Sequence, residues 1–349
     1  MTPGRRAARA AGVPLLLAAV ALAPAAAGAQ TGASGPQRTA WGDPDLQGVW
    51  DFRTITPMER PAELAGKALL TAEEAAGFEA RENRRQNRDL VDPEQGGAIY
   101  PPASEGGVVP YNEFWYDRGS SLAAGGRTSL IVDPPDGRLP PLVPGTAQQG
   151  RAVSADVAGE RPVRFRSGGI GADGPEDRAL GERCLLGFNA GPPVIPSAYN
   201  NTLQVLQTPD HVVILNEMIH DARIVPLDGR AHLAPSIRQW MGDSRGRWEG
   251  ATLVVETTNF SAKTSSFNPT IQSAVGTGAT LRLVERLTRT GAGALRYEFT
   301  VDDPHTFTRP FTGVIPMATA DGPLFEYACH EGNYGMFNLL AGARAQERR

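Results

Sequence analysis

From residue 202 to residue 329 the chain repeats one pattern. Short runs rich in β-branched and aromatic residues alternate with clusters of turn residues, and no helix-like stretch lies between them. Strands joined by short turns pair antiparallel, and a sheet with one apolar face must curl on itself or pack on a second sheet. The central unit is 240–260, WMGDSRGRWEGATLVVETTNF, which reads as a turn at 242–246 and an extended run over 247–258. Around it the expected strands are 202–207, 212–225, 280–289, 295–301, 307–316 and 324–329. The expectation is a mainly β fold, an antiparallel meander closing into a barrel or sandwich.

Upstream, the chain is rich in loops. Gly (40) and Pro (29) are frequent in the 349 residues, and the 41% hydrophobic share suffices for a sizeable core, so turns and long loops are expected rather than disorder. WGDPDLQGVWDF (41–52) reads as a turn and a strand, and 128–132 as another strand. The best helix is 69–91, where Thr71 and Glu74 form a capping box and Phe78 is the one large apolar anchor. A second short helix is expected over 333–344, packing through Met336, Leu339 and Leu340. Both belong at the periphery.

The first 29 residues read as a secretion signal. Arg5, Arg6 and Arg9 precede an apolar core, and Ala27-Gly28-Ala29 is a small-residue cleavage site. A polar linker over 30–40 and one β-rich domain over 41–345 follow, the latter loop-rich over 41–200 and a meander over 201–330. The expected location is periplasmic or secreted. The formal charge is −4 and no basic cluster occurs, which argues against nucleic acid, and no later stretch is apolar enough to span a membrane. In an oxidising compartment, Cys184 and Cys329 are expected to form a disulfide.

Strand alternation nominates an interior. In 212–225 the even positions are apolar except for Asn216 and His220, while Glu217, Asp221 and Arg223 face out. In 280–289 Glu285 shares the apolar face with Leu281, Leu283 and Leu287, and in 295–301 Tyr297 points inward. His220, Glu285, Tyr297 and Asn216 are therefore the candidate catalytic residues, since an enclosed imidazole and carboxylate can serve as acid and base. Hydrogen bonding that closes the barrel is the competing explanation, and a β-bulge at His220 would reverse the phase. Tyr111, Trp115 and Tyr116 of YNEFWYDR, with Trp248, are the candidate ligand-binding residues.

Other motifs carry little. GIGADG (169–174) fits a dinucleotide fingerprint, but no buried strand precedes it and Pro175 follows it, so it reads as a loop. Ser244 sits in G-x-S-x-G, but a strand rather than a helix follows, so it reads as a turn residue. The five histidines lack metal-site spacing; only folding could gather His220, His232, His330 and Glu331. No metal or cofactor is indicated.

Gly48-Val49-Trp50 resembles the Gly-x-Trp that opens the first strand of lipocalin-like barrels. WMGDSRGRWEG-TLVVETTNF, preceded by MIHDARIVPLDGR and followed by LRLVERLTR and LRYEFTVDDPHTFTRPF, resembles a large group of exported bacterial proteins. The likeness covers about 41–343, and 267–279 departs from the His-Ser-Glu-like segment that many members carry there. The resemblance implies an exported, β-rich, lipocalin-like barrel and supplies no catalytic residues. Two functions follow as expectations: binding of a small apolar, aromatic or glycan ligand, or a lyase, hydratase or isomerase using His220 and Glu285.

Overall fold

The strands of the meander arrange themselves as one sheet that nearly closes. The computed structural model describes residues 37–87, 89, 112–123, 125–149, 174–270 and 273–348. The expected signal, most of the linker, Tyr111 and most of GIGADG lie outside them. Two units separate, Met1–Gly35 and Pro36–Arg349, and all described elements belong to the second.

The N-terminal part supplies β1 (Gly48–Asp51), β2 (Ile131–Asp133) and β3 (Gln148–Gln149). The hairpins that follow are β4 (Thr202–Gln207), β5 (His211–Asn216), β6 (Ala222–Pro226), β7 (Asp243–Glu249) and β8 (Thr252–Thr258). Then come β9 (Phe267–Thr270), β10 (Ser273–Val275), β11 (Arg282–Gly291), β12 (Ala294–Asp302) and β13 (Phe311–Thr319). The helices are α1 (Ala72–Gln86) and α2 (Tyr334–Glu347).

The main sheet runs β6-β5-β4-β1-β13-β12-β11-β8-β7, with β2 added on β13, and β3-β10-β9 form a small second sheet. The mainly antiparallel β architecture expected from the sequence is what forms. Its inner face carries Leu203, Val205, Val212, Ile214, Val225, Leu253, Val255, Leu283, Leu287, Phe299 and Ile315, all buried. Most alternate with more exposed residues, as a half-buried strand requires, while Val254 in β8 and Val314 in β13 are buried on the other face as well. Trp50 also enters this core, with its indole N–H on the Leu46 carbonyl at 2.9 Å and the Arg289 guanidinium 5.1 Å from its ring.

Four expected strands need correction. The run 247–258 is a hairpin: β7 begins at Asp243, inside the expected turn, and the reversal falls at Gly250, whose φ of +62° suits glycine. The run 212–225 is also a hairpin, broken by a short 3-10 turn at Met218–His220 in which Ile219 and His220 take φ of 57° and 46°. Tertiary packing overrides strand propensity there, because Met218 and Ile219 are buried with Cys184, Phe188 and Ala190 in a second apolar cluster. The last expected strand, 324–329, is loop, and the one before it is shifted, since Phe307 makes only an isolated bridge to Leu142 and β13 begins at Phe311.

Both helices are peripheral: α1 is polar, and α2, expected to pack through Met336, Leu339 and Leu340, leaves all three only partly buried. The Thr71 hydroxyl accepts from the Glu74 N–H while Glu74 accepts from the Thr71 N–H, which is the expected capping box. α2 buries none of its residues. The segment leading to it is held by the disulfide between Cys184 and Cys329, with Cα atoms 5.8 Å apart, and by the Asn333 amide on the Glu182 carbonyl at 2.7 Å.

Closure follows from strand parity. All eight pairings along the nine-strand path are antiparallel, so the two end strands, β6 and β7, run in the same direction. They meet through side chains. A Cβ on Gly246 would lie 2.7 Å from Leu227 Cδ2 and 2.8 Å from Val225 Cγ1, so glycine is what lets the two ends approach. No described helix is long and apolar enough to cross a membrane.

Candidate functional site

Glu285 lies inside the barrel, as alternation along β11 predicts, and its side chain is 0% exposed. Its partner is a residue assigned to the outside. The break at Met218–His220 reverses the phase, so Arg223 and Val225 point inward while Ile224 is 65% exposed. Arg223 grips Glu285 with two hydrogen bonds, Nη1 to Oε2 at 2.5 Å and Nη2 to Oε1 at 2.8 Å. The Tyr297 hydroxyl donates to Oε1 at 2.7 Å and accepts from the Val194 N–H at 3.2 Å.

The electrostatics describe a closed network. Burial disfavours the charged form of Arg223, but the charge of Glu285 and its hydrogen bonds outweigh that, and the guanidinium pKa is raised. Burial, reinforced by the Glu285 carboxylate, raises the Tyr297 phenol well above its ordinary value, so it stays a donor. A carboxylate that holds three donors and is sealed from solvent is out of a substrate's reach. Its chemistry is that of a structural tie, and breaking such a pair leaves a charge uncompensated in the interior.

His220 is corrected. It lies in the left-handed turn and is exposed, whereas Glu285 is enclosed, so they do not form an acid–base pair. Asn216 is inside, at the end of β5. Its backbone N–H and side-chain amide both reach the Asp221 carbonyl, at 2.8 and 3.4 Å, which fixes the turn, and its buried Oδ1 has no partner. The sequence signal that finds Arg223 is the odd phase of 221–225, visible only once the turn is placed.

The aromatic candidates do not converge. Phe114 and Trp115 stack edge-on with ring centroids 5.2 Å apart and are 81% and 63% exposed. Trp248 packs against the main core, with its buried indole N–H unpartnered. Tyr111 lies outside the described residues, and Tyr116 lines a cleft. This cleft, of about 580 Å³, lies where β1 ends, between α1 and residues 196–198, with Phe78, Arg85 and Arg118 on its walls. The Arg118 guanidinium sits 4.5 Å from the Tyr116 ring centroid and is paired to Glu113 at 2.6 Å. Arg85 is paired to Glu82. A recess of about 130 Å³ shares Thr54, Thr56, Pro196 and Thr270 with the cleft and adds Met58, Leu130, Ile195 and Asn268.

The remaining motifs are quiet. Ser244 is a strand residue rather than a turn residue, and its hydroxyl bonds the Thr257 hydroxyl at 2.9 Å. His232 Nδ1 lies 2.9 Å from Asp243. Among the described residues, no group of three or more His, Cys, Asp or Glu is arranged to hold a metal ion. Comparison with protein-family models, with curated proteins and with solved structures found no match.

Proposed function

We propose that this chain is an exported β-barrel protein that holds a small, uncharged, ring-bearing ligand, of the glycan or phenol type, in the Tyr116 cleft. One observation carries the reading: the 580 Å³ cleft adjoins the 130 Å³ recess, and Thr54, Thr56, Pro196 and Thr270 line both. Both volumes together are of the size that ligand sites take. The wall arginines are already matched within the protein, Arg85 by Glu82 and Arg118 by Glu113, so an anionic ligand finds no free cation there; the exposed Glu63 is the remaining wall charge. Threonine and asparagine groups beside Met58, Leu130 and Ile195 suit a molecule that is part hydroxyl and part apolar ring. Export is supported by the charged, apolar and small-residue segments of the first 29 residues and by the Cys184–Cys329 disulfide.

The test is native mass spectrometry of the full chain expressed with export. Thr270 is exposed and lines both cavities, so Thr270→Trp fills their junction with little effect on the core. A bound mass present in the parent and lost in Thr270→Trp supports the reading. No retained mass, or one unaffected by the substitution, rejects it.

A further inference from the structure

We propose that the cavity beside the Cys184–Cys329 disulfide is a second ligand site, one that takes an alkylated ammonium ion. It measures about 440 Å³ and is built from two segments far apart in sequence, 181–219 and 326–333. Of its walls, only Phe188 also lines the recess beside the Tyr116 cleft.

The inner wall is apolar. Met218 and Ile219 are buried and pack with Phe188, and all three line the cavity. Their turn holds Ile219 at φ 57°, which is uncommon for a β-branched residue, and strain of this kind clusters where ligands are clamped. The Tyr199 ring stands at 84° to Phe188, with centroids 5.5 Å apart, and Tyr327 adds a third ring from the other segment. That segment is fixed by the disulfide and by the Asn333 amide on the Glu182 carbonyl at 2.7 Å.

The charges select a cation. No arginine, lysine or histidine lines the cavity, but Glu182 and Glu326 do. Glu182 is matched by Arg178 at 2.7 Å and accepts from the Ala179 N–H. Glu326 is exposed and has no ion pair or hydrogen bond among the described residues. Aromatic faces carry negative charge, so three rings and an unmatched carboxylate favour a positive ligand. A metal ion needs several oxygen or nitrogen ligands, and among the described residues no group of His, Cys, Asp or Glu is arranged to hold one. An alkylated ammonium suits the walls better, because it offers methyl groups to the rings and its charge to Glu326.

The probe is choline, titrated into the full disulfide-bonded chain labelled for amide NMR, with 3,3-dimethylbutan-1-ol as its uncharged isostere. Choline should shift the amides of Met218, Ile219, Tyr327 and Ala328 saturably, and the alcohol should bind about tenfold more weakly. Tyr327→Leu should weaken choline about tenfold and the alcohol far less. Glu326 is exposed, so Glu326→Gln leaves the fold intact; it should weaken choline about threefold at low salt and not at high salt. Thr270→Trp, which blocks the Tyr116 cleft, should bind choline like the parent, so failure of the two sites can be told apart. Equal binding of choline and the alcohol, or no saturable shift, overturns the proposal. So does choline binding that survives both Tyr327→Leu and Glu326→Gln unchanged, or that is lost in Thr270→Trp.

Discussion

Arg223 and Glu285 are joined across the inside of the barrel by hydrogen bonds of 2.5 and 2.8 Å. Arg223 stands on β6, one end of the sheet, and Glu285 on β11, two strands in from the other end. The contact spans a seam where no ladder forms, so a charged pair does part of the work that backbone pairing does elsewhere in the ring.

Removing one partner should be costly. Glu285→Gln keeps the shape of the side chain but leaves the Arg223 guanidinium without a counter-charge, and Arg223→Met strands the carboxylate. Each is expected to lower stability by about 3–5 kcal/mol, read from urea denaturation midpoints at constant m-value. A loss below about 1 kcal/mol, the level of exposed pairs, contradicts this.

Tyr297 makes stability depend on alkaline pH. Its phenol pKa is raised in the fold, by burial first and the Glu285 charge second. The stability tied to the proton is full below about pH 10, the ordinary phenol value, and is lost as pH rises from there through the folded value. The unfolded chain sheds that proton first. Stability of the parent should therefore fall more steeply than that of Tyr297→Phe above pH ~10, by up to about 1.4 kcal/mol per pH unit. Parallel curves for the two proteins would exclude the effect.

Gly246 sits where the two ends of the sheet touch. Gly246→Ala brings a methyl group to within 2.7–2.8 Å of Leu227 and Val225. It should cost about 1–3 kcal/mol and speed hydrogen exchange first in β6 and β7. An unchanged thermal midpoint would mean that the ends are not in contact in solution.

The disulfide anchors a segment that buries little of itself. α2 has no buried residue, and the Cys184–Cys329 bond with the Asn333–Glu182 hydrogen bond holds the approach to it. Replacing both cysteines by serine should accelerate exchange across Tyr334–Glu347 well before the barrel strands respond. The reverse order would assign α2 a packing role.

The antiparallel meander was legible because its signals are local: β-branched runs, turn residues and alternation in β11 and β12, where Glu285 and Tyr297 turned inward as expected. The phase of β6 was not legible. Met218 and Ile219 look like strand residues, and what turns them is burial against Cys184 and Phe188, distant in sequence. One misplaced turn therefore moved His220 inward and Arg223 outward on paper. The Tyr116 cleft was half legible. The aromatic segment pointed to it, but Thr54, Thr56, Ile195 and Asn268 come from loops without any periodic signal.

A double-mutant cycle on Arg223→Met and Glu285→Leu measures most directly whether these side chains act as one tie across the seam. If they do, the single losses are large, the double variant recovers much of the stability, and the coupling is about 2–3 kcal/mol or more. Losses that simply add to within about 0.5 kcal/mol would mean that the two residues do not hold the barrel together as a pair.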